Sequence, residues 1–217
     1  MPASRREVLQ GAALVAATGL LGCPSVDCEP SAAGCALPVH PADQLPPEAL
    51  PSPCEPTPAD VEGPYWRADA PLRSDLNVFD EAGTSLRVEG RVFGAGCSVP
   101  LADATVDLWH CGPAGAYDTD SEAFEFRGRT RTDAEGRWAF VTLLPGRYSE
   151  AGVYRPAHLH FKVGAPGHAD VTTQSYFEDD PWIDLDEYAT HAMAQPLFDD
   201  GDGGLIVRFD VVLEPQR

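Results

Sequence analysis

The stretch Leu205-Ile206-Val207-Arg208-Phe209-Asp210-Val211-Val212-Leu213 has the composition of a β-strand and indicates the class of fold. Apolar and polar side chains alternate in its middle, as they do in a strand that buries one face. Outward from it along the chain, short runs of β-prone residues recur between turn signals. They are Leu86–Phe93, Thr105–His110, Arg137–Leu143, Ala157–Val163 and Val171–Phe177.

Turns rich in glycine and proline separate these predicted strands. Gly94-Ala95-Gly96, Pro145-Gly146 and Ala165-Pro166-Gly167 are examples. Residues 184–195 offer one plausible helix, which is short. With about seven strands joined in this way, the sequence predicts an all-β fold: a β-sandwich of two sheets, with long active-site loops and little helix.

The acidity of the chain excludes some classes of partner. It has 217 residues, with 15 Lys+Arg against 34 Asp+Glu and a formal net charge of -19. Nucleic acids and anionic membrane surfaces attract clusters of cations, so we expect no nucleic-acid partner. The acidic runs at residues 178–187 and 199–202 do not have the spacing of a calcium loop and are interpreted as solvated loops.

The N-terminal residues 1–22 have the pattern of an export signal. Ser4-Arg5-Arg6 precedes an uncharged stretch, residues 11–22, which is shorter than the about 20 residues that span a bilayer. The pattern resembles a twin-arginine signal, with an ordinary Sec signal as the alternative. It predicts a periplasmic or other extracytoplasmic location, and acylation of Cys23 would anchor the protein to a lipid surface.

The remaining chain divides into a spacer and a folded domain. Residues 23–56 are rich in proline and lack apolar periodicity, which is typical of a stiff extended spacer. The folded domain is expected to begin near Thr57 and to extend to residue 217. A homo-oligomer is left open.

Export would permit disulfide bonds. Cys28 with Cys35 could close a small loop, and two of three further cysteines could join. The sequence does not determine the pairing among these three, which are Cys54, Cys97 and Cys111.

Two histidines form the core of a candidate metal site. His158 and His160 occupy positions i and i+2 of a predicted strand, so both imidazoles lie on the same face, close enough to share one ion. Alone, such a pair is more often incidental than ligating. Tyr117 and Tyr148 each follow a turn nearby, and each alone would more often be a packing residue. The four other histidines have no companion at ligand spacing and are interpreted as structural or solvent-facing; they are His40, His110, His168 and His191.

Several segments in a fixed order carry a family resemblance from about Thr57 to Asp180. They are Thr57–Trp66, Val106–His110, Gly115–Tyr117, Phe126–Asp133, Leu144–Tyr148, Arg155–Phe161 and Thr172–Phe177. Together they resemble the intradiol ring-cleavage dioxygenases, of the catechol and protocatechuate 3,4-dioxygenase type.

The resemblance implies a β-sandwich enzyme with a non-haem Fe(III) cofactor. Its metal ligands would be Tyr117, Tyr148, His158 and His160, and Tyr148 would leave the metal when substrate binds. Arg155 would stabilise charge that develops on the ring, and Gln174 would orient a ligand or Arg155 through hydrogen bonds. The implied reaction uses O2 to cleave a small-molecule catechol-type diol between its two hydroxylated carbons, giving a muconate-type diacid.

Departures from the family pattern leave alternatives open. The stretch 149–154 is shorter than in the well-known members of the family, so the accepted ring substituents are not determined. The acidic surface slightly favours neutral catechols or hydroxyquinols over carboxylated aromatics. One alternative is an exported, non-catalytic β-sandwich binding module that retains the motif. Another is a zinc or copper site with different chemistry at the histidine pair.

Overall fold

The computed structural model describes residues 36–48, 51, 54–150 and 152–216. The predicted export signal at residues 1–22 lies outside these residues, and so do Cys23, Cys28 and Cys35 of the predicted spacer. No helix within the described ranges is long and apolar enough to cross a membrane.

The regular secondary structure of the described residues consists almost entirely of strands. In chain order they are β1 (Val39–His40), β2 (Ser85–Gly94), β3 (Thr105–Trp109), β4 (Arg127–Arg131), β5 (Arg137–Leu143), β6 (Tyr148–Glu150), β7 (Val153–Arg155), β8 (His158–Gly164), β9 (Val171–Phe177), β10 (Ala194–Gln195), β11 (Leu197–Asp199), β12 (Leu205–Arg208) and β13 (Val211–Leu213). Single 3-10 turns at Ala42–Gln44, Ile183–Leu185 and His191–Met193 complete the regular structure.

Two sheets hold most of these strands. In the first, the order is β1-β11-β12-β2-β13, with β5 paired antiparallel to β2. In the second, the order is β10-β9-β8-β3-β4. A separate two-stranded hairpin, β6–β7, projects beside them. The prediction of an all-β sandwich is confirmed.

The core lies between the two sheets. Trp138 of β5 packs edge-on against Phe161 of β8, with ring centroids 5.6 Å apart, and Phe161 also contacts Phe209 at 5.0 Å. Leu159 and Phe161 are both fully buried in this cluster. Because successive side chains of a strand point to opposite faces, the residues between them on β8 face away from the core.

The stretch at residues 205–213 is not one strand, as its alternation predicted, but two. The backbone N–H of Phe209 bonds to the carbonyl of Glu89 at 2.9 Å, and the Asp210 carboxylate accepts from the N–H of Arg91 at 2.8 Å. This local change in pairing separates β12 from β13. It requires Gly90 on the facing strand, because a Cβ there would lie 2.0 Å from the Phe209 carbonyl oxygen.

Some residues before the predicted boundary near Thr57 contact the folded body. β1 pairs in parallel with β11, well before that position, and Leu37 packs against the core. Cys54 forms a disulfide with Cys97, with their Cα atoms 5.8 Å apart. Residues 36–48 therefore belong to the folded body, because backbone pairing and apolar contacts hold them there, and Cys54 is covalently joined to it.

Two smaller expectations are also corrected. The helix predicted for residues 184–195 is instead a pair of 3-10 turns followed by β10. The acidic run 178–187 is not uniformly solvated, because Asp180 and Asp186 are buried, with 1% and 6% exposure. Both make ion pairs near the site described next.

Candidate metal centre

His158 and His160 lie on the face of β8 that points away from the core. Each is about as buried as the core residues, at 1% exposure. Their Nε2 atoms are 3.1 Å apart. The strand alternation that buries Leu159 between them therefore also aims the two imidazoles at one point.

Tyr117 joins this pair from the loop that follows β3. Its hydroxyl oxygen is 3.2 Å from His158 Nε2 and 3.1 Å from His160 Nε2. The turn that delivers it contains Gly115 at φ +78, where a Cβ would lie 2.6 Å from the carbonyl oxygen of Arg147. A side chain at this position would displace the loop, so glycine is needed for the hydroxyl to reach the histidines.

Tyr148, the first residue of β6, lies on the other side of the group. Its ring centroid is 5.6 Å from that of Tyr117 and 5.7 Å from that of His158. Both tyrosine rings are half-buried, whereas the histidines are enclosed. The group therefore has an inner side made of nitrogens and a solvent side made of phenols. All four predicted ligand residues come together.

The protonation of the histidines suits a metal. His158 Nδ1 donates a hydrogen bond to the carbonyl of Pro156 at 2.6 Å, which leaves the lone pair on Nε2. Burial, aided by the charge of Arg155, lowers the pKa of His158 to about 3, and burial also holds the pKa of His160 well below its ordinary value. Both rings are therefore neutral at physiological pH.

The tyrosines need a cation to ionise. Burial raises the pKa of the Tyr148 hydroxyl to about 12 and that of Tyr117 well above its ordinary value. A bound trivalent ion would reverse this preference, because a coordinated oxygen is stabilised as the anion. Two phenolates with two neutral imidazoles form a hard, anionic donor set of the kind that suits a ferric ion.

The spacing of the donors also fits one ion. Atoms bound to a single metal at about 2.0–2.2 Å, with about 90–109° between them, are about 2.8–3.6 Å apart. The three distances among Tyr117 Oη, His158 Nε2 and His160 Nε2 fall in this range. Within the described residues, no group of three or more His, Cys, Asp or Glu side chains could hold a metal ion. The tyrosines are what complete this set.

Arg155 lies beside the candidate metal centre in a network of buried polar groups. Its Nη2 donates to Gln174 Oε1 at 2.9 Å, and its Nε donates to a carboxylate oxygen of Asp186. Gln174 is itself held by a 2.7 Å bond from its Nε2 to the carbonyl of Val61. The structure thus makes the predicted contact between Gln174 and Arg155. The ion pair of Arg155 is not a surface salt bridge, because its partner carboxylate is fully enclosed.

Tyr65 is a site residue that sequence reasoning did not identify. Its ring stacks on the ring of Tyr117, with centroids 4.2 Å apart and planes 13° apart. Its hydroxyl donates to Glu150 Oε1 at 2.8 Å. Tyr65 lies in the segment Thr57–Trp66, which carries part of the family resemblance. Its position in that segment is the sequence feature that could have identified it as a site residue.

Trp109 and Arg127 support the same residues from the protein side. Trp109 stacks on His160, with ring centroids 4.8 Å apart and planes 10° apart. Arg127 is buried and donates to the carbonyls of Asp118, at 3.0 and 2.6 Å, and of Tyr65. These contacts fix the histidine ring and the backbone that follows Tyr117. Neither contact has a local sequence signal.

The four remaining histidines have other partners. His110 is fully buried, and its ring nitrogens bond to Thr142 Oγ1 at 2.8 Å and to the carbonyl of Cys111 at 2.7 Å. The others make a backbone hydrogen bond or contacts with carboxylates near the surface; they are His40, His168 and His191. Cys111, the one cysteine left unpaired in the described part of the chain, is buried and donates to the carbonyl of Gly146 at 3.2 Å.

Comparison with known proteins gives a consistent set of relatives. Residues 61–215 match the family described as Dioxygenase. The chain is 37% identical over 153 residues to catechol 1,2-dioxygenase 2 of Acinetobacter lwoffii, covering 61% of this chain and 55% of that protein. It is 35% identical over 182 residues to chlorocatechol 1,2-dioxygenase of Cupriavidus pinatubonensis, covering 74% and 70%.

Solved structures show the same relationship. The dioxygenase domain of a dioxygenase–carbohydrate-binding protein fusion from the cellulolytic bacterium Streptomyces sp. SirexAA-E aligns with a TM-score of 0.67 and 36% identity, over 75% of this chain and 100% of that chain. Catechol 1,2-dioxygenase from Pseudomonas arvilla C-1 aligns with a TM-score of 0.67 and 32% identity, over 74% of this chain and 63% of that chain. The chain thus spans little more than half the length of some full-length relatives.

Proposed function

From membership of the intradiol ring-cleavage dioxygenases, the family to which this chain belongs, we infer that its substrate is a catechol-type diol. The reaction consumes O2, cleaves the aromatic ring between the two hydroxylated carbons and yields a muconate-type diacid. Members named for catechol and for chlorocatechol are about equally similar to the chain. This similarity supports the substrate class and does not distinguish between ring substituents.

One observation carries this proposal: the triangle of Tyr117 Oη, His158 Nε2 and His160 Nε2, with sides of 3.1–3.2 Å. These residues, together with Tyr148, would hold the ferric ion. When bound, Fe(III) would supply a Lewis-acidic centre that chelates both diol oxygens and activates the ring toward O2.

Tyr148 is the ligand best placed to give way to the diol. It is half-buried and lies at the start of a two-stranded hairpin, whereas both histidines are enclosed on a central strand. On binding, one hydroxyl of the diol would transfer its proton to the Tyr148 oxygen, and the phenol formed would move aside. The residue then serves as a base as well as a ligand.

Arg155 supplies positive charge next to this event. Its guanidinium is held by Gln174 at 2.9 Å and by Asp186, so its position does not depend on the substrate. A fixed cation in a site shielded from water stabilises negative charge on a reacting ring more than a mobile one would. Gln174 and Asp186 act through Arg155 as positioning residues.

The twin-arginine signal and the lipid anchor at Cys23 are proposals that the sequence alone supports. Export of an already folded domain would suit an enzyme that needs a metal, and catalysis would then take place outside the cytoplasm. Fractionation of cells that produce the full chain, with Cys23→Ala as the matched variant, tests both ideas. Recovery of the wild type in the cytoplasm would refute export, and release of both forms as free protein would refute the anchor.

Oxygen uptake by ferric-loaded protein tests the proposed reaction. Catechol should be consumed with one O2 per ring, and a muconate product should appear in its ultraviolet spectrum. If protein that holds stoichiometric iron turned over no member of a catechol panel, the dioxygenase proposal would be refuted.

A further inference from the structure

Glu150 is a carboxylate placed at the rim of the candidate metal centre. It ends β6, two residues after Tyr148, and pairs with Val153 across the hairpin. It is solvent-exposed, yet its Oε1 accepts a 2.8 Å hydrogen bond from the hydroxyl of Tyr65. An exposed glutamate usually moves freely, whereas this one has a fixed partner.

Tyr65 connects this carboxylate to the candidate metal centre. Its ring lies flat against Tyr117, at a centroid distance of 4.2 Å, while its hydroxyl bonds to Glu150. One aromatic side chain therefore spans from a proposed ligand to the carboxylate. Tyr148 and Glu150 are residues i and i+2 of β6, so their side chains lie on the same face of the hairpin. A diol bound at Tyr148 would therefore lie on the face that carries Glu150.

The other charges around the site are compensated. Arg155 is paired with Asp186, and Arg147 with Asp180 at 2.9 Å. These buried pairs contribute little net charge to the entrance. No cation lies at ion-pair distance from Glu150 in the part of the chain that the structure describes.

Two more positive groups lie nearby, and neither forms an ion pair with Glu150. Arg67 is paired with Asp118 at 3.5 Å. Arg127 is buried, and its nitrogens are bonded to the backbone carbonyls of Asp118 and Tyr65. Among the described residues Glu150 therefore keeps its charge without an ion-pair partner, in a protein whose formal net charge is already -19.

We propose that Glu150, held in place by Tyr65, selects substrates by charge: the site takes catechols whose ring substituents are neutral or cationic and discriminates against ring carboxylates. This inference rests on the proposed function. A ring carboxylate would be brought toward a fixed like charge, whereas an ammonium side chain would gain an ion pair at the rim. One unit charge at a partly exposed site is expected to change kcat/KM by roughly three- to tenfold.

Three substrates of the same ring size test the idea: catechol, 3,4-dihydroxybenzoate and 2-(3,4-dihydroxyphenyl)ethylamine. In the wild type, kcat/KM should be lowest for the carboxylate. Glu150→Gln should raise the ratio of kcat/KM for the carboxylate to that for the amine by roughly tenfold, and Glu150→Lys should raise it further, mainly through KM. The change should shrink as the ionic strength increases.

Glu135→Gln is the matched control. Glu135 is an exposed glutamate in the turn between β4 and β5, at the far end of β4 from Arg127, and its carboxylate lies 3.5 Å from Arg137. The Glu135→Gln substitution changes the net charge by the same amount as Glu150→Gln. It should leave the ratios of kcat/KM among the three substrates unchanged. An unchanged ratio in both Glu150 variants, or an equal change in the control, would overturn the inference.

Binding without turnover separates this inference from the proposed function. Each ligand is titrated under anaerobic conditions into ferric-loaded protein, and the change in visible absorption is followed. Glu150→Gln should tighten binding of the carboxylate relative to the amine, even if no product ever forms. If turnover were absent but the binding affinities still depended on ligand charge, only the proposed reaction would be refuted. Equal affinities of the wild type for the carboxylate and the amine would refute the charge selection.

Discussion

Tyr148 and Arg155 are directly paired across the β6–β7 hairpin, so the ligand proposed to leave the metal and the cation beside it belong to one two-stranded unit. The strand that carries Arg155 contacts the body through Asp186 and through the packing of Tyr154 on Trp182, whose ring centroids are 4.9 Å apart. Tyr148 lies on the other strand, which is more exposed. The cation is thus held by an enclosed carboxylate, whereas the ring of Tyr148 is half-buried.

Replacing the two tyrosines should have unequal effects. Tyr117→Phe removes an oxygen that lies 3.1–3.2 Å from both histidines, so iron affinity should fall by at least about tenfold and the visible absorption of the ferric protein should largely disappear. Tyr148→Phe should shift the band and retain most of the iron. Metal content and visible spectra measure both effects; wild-type spectra in both variants would refute the ligand assignment.

Removal of the Asp186 charge should destabilise the protein strongly. Asp186→Asn leaves the buried Arg155 without its counter-ion, which is expected to cost about 3–5 kcal/mol of unfolding free energy. Asp184→Asn is the matched control, because Asp184 lies two residues away and its 2.9 Å contact with His191 is exposed. That change should cost less than about 1 kcal/mol. Equal urea midpoints for the two variants would contradict the role of the buried pair.

The buried carboxyl of Asp107 should make the unfolding free energy depend on pH. Burial raises the pKa of this carboxyl to about 6 from 3.8 in the unfolded chain. The folded state therefore holds its proton more tightly, and stability falls as the pH rises from about 4 to about 6. Asp107→Asn should remove this penalty and raise the unfolding free energy by up to about 3 kcal/mol at pH 8, but not at pH 4.

The difference between wild type and variant is the quantity to measure, because the titration of the histidines cancels in it. Asp103→Asn is a suitable control, since that carboxylate is exposed and pairs with Arg131 at 3.0 Å. A difference for Asp107→Asn that did not change between the two pH values would refute the raised pKa.

The Cys54–Cys97 disulfide should stabilise the attachment of the N-terminal segment. It closes a loop with a sequence separation of 43, for which loop entropy predicts about 4 kcal/mol. The double variant Cys54→Ser/Cys97→Ser should therefore unfold at lower denaturant concentration than the oxidised wild type. Cys111→Ala is the control for removal of a cysteine that is not cross-linked. If it lowered the denaturant midpoint as much as the double variant does, the stabilisation could not be assigned to the disulfide.

Gly115→Ala should reduce metal binding through the backbone. Its Cβ would lie 2.6 Å from the carbonyl oxygen of Arg147, so the loop that carries Tyr117 has to shift. Gly203→Ala shares the positive φ but has no heavy atom within 4 Å of the added carbon. Both variants should lose about 1 kcal/mol of stability or more, while the first alone should lose iron. Equal iron content in the two would contradict the steric argument.

Much of the sandwich could be predicted because its strands alternate or are rich in β-branched residues. The runs Arg137–Leu143 and Val171–Phe177 coincide with β5 and β9. β4 was not predicted as a strand, because Arg-Gly-Arg-Thr-Arg lacks the apolar residues that mark one. The break in residues 205–213 depends on a contact with Gly90, which no pattern within the stretch itself can show.

The ligands could be proposed because the segments that carry the family resemblance contain all four of them. Their surroundings could not. Asp186 is 31 positions from Arg155, in a run of acids that resembles a solvated loop, and only the fold shows that it is buried. The same holds for Tyr65 and Glu150, which are 85 positions apart.

The alternation on β8 has a consequence for how the protein matures. Leu159 and Phe161 fill the core while His158 and His160 face the metal site, so a slip of this strand by one residue would exchange the two sets. Such a misaligned chain would bury imidazoles among hydrocarbon and offer no nitrogen to iron. Binding of iron at the proposed ligands would therefore require the correct register of β8, so iron content would report how much of a preparation has its strands aligned.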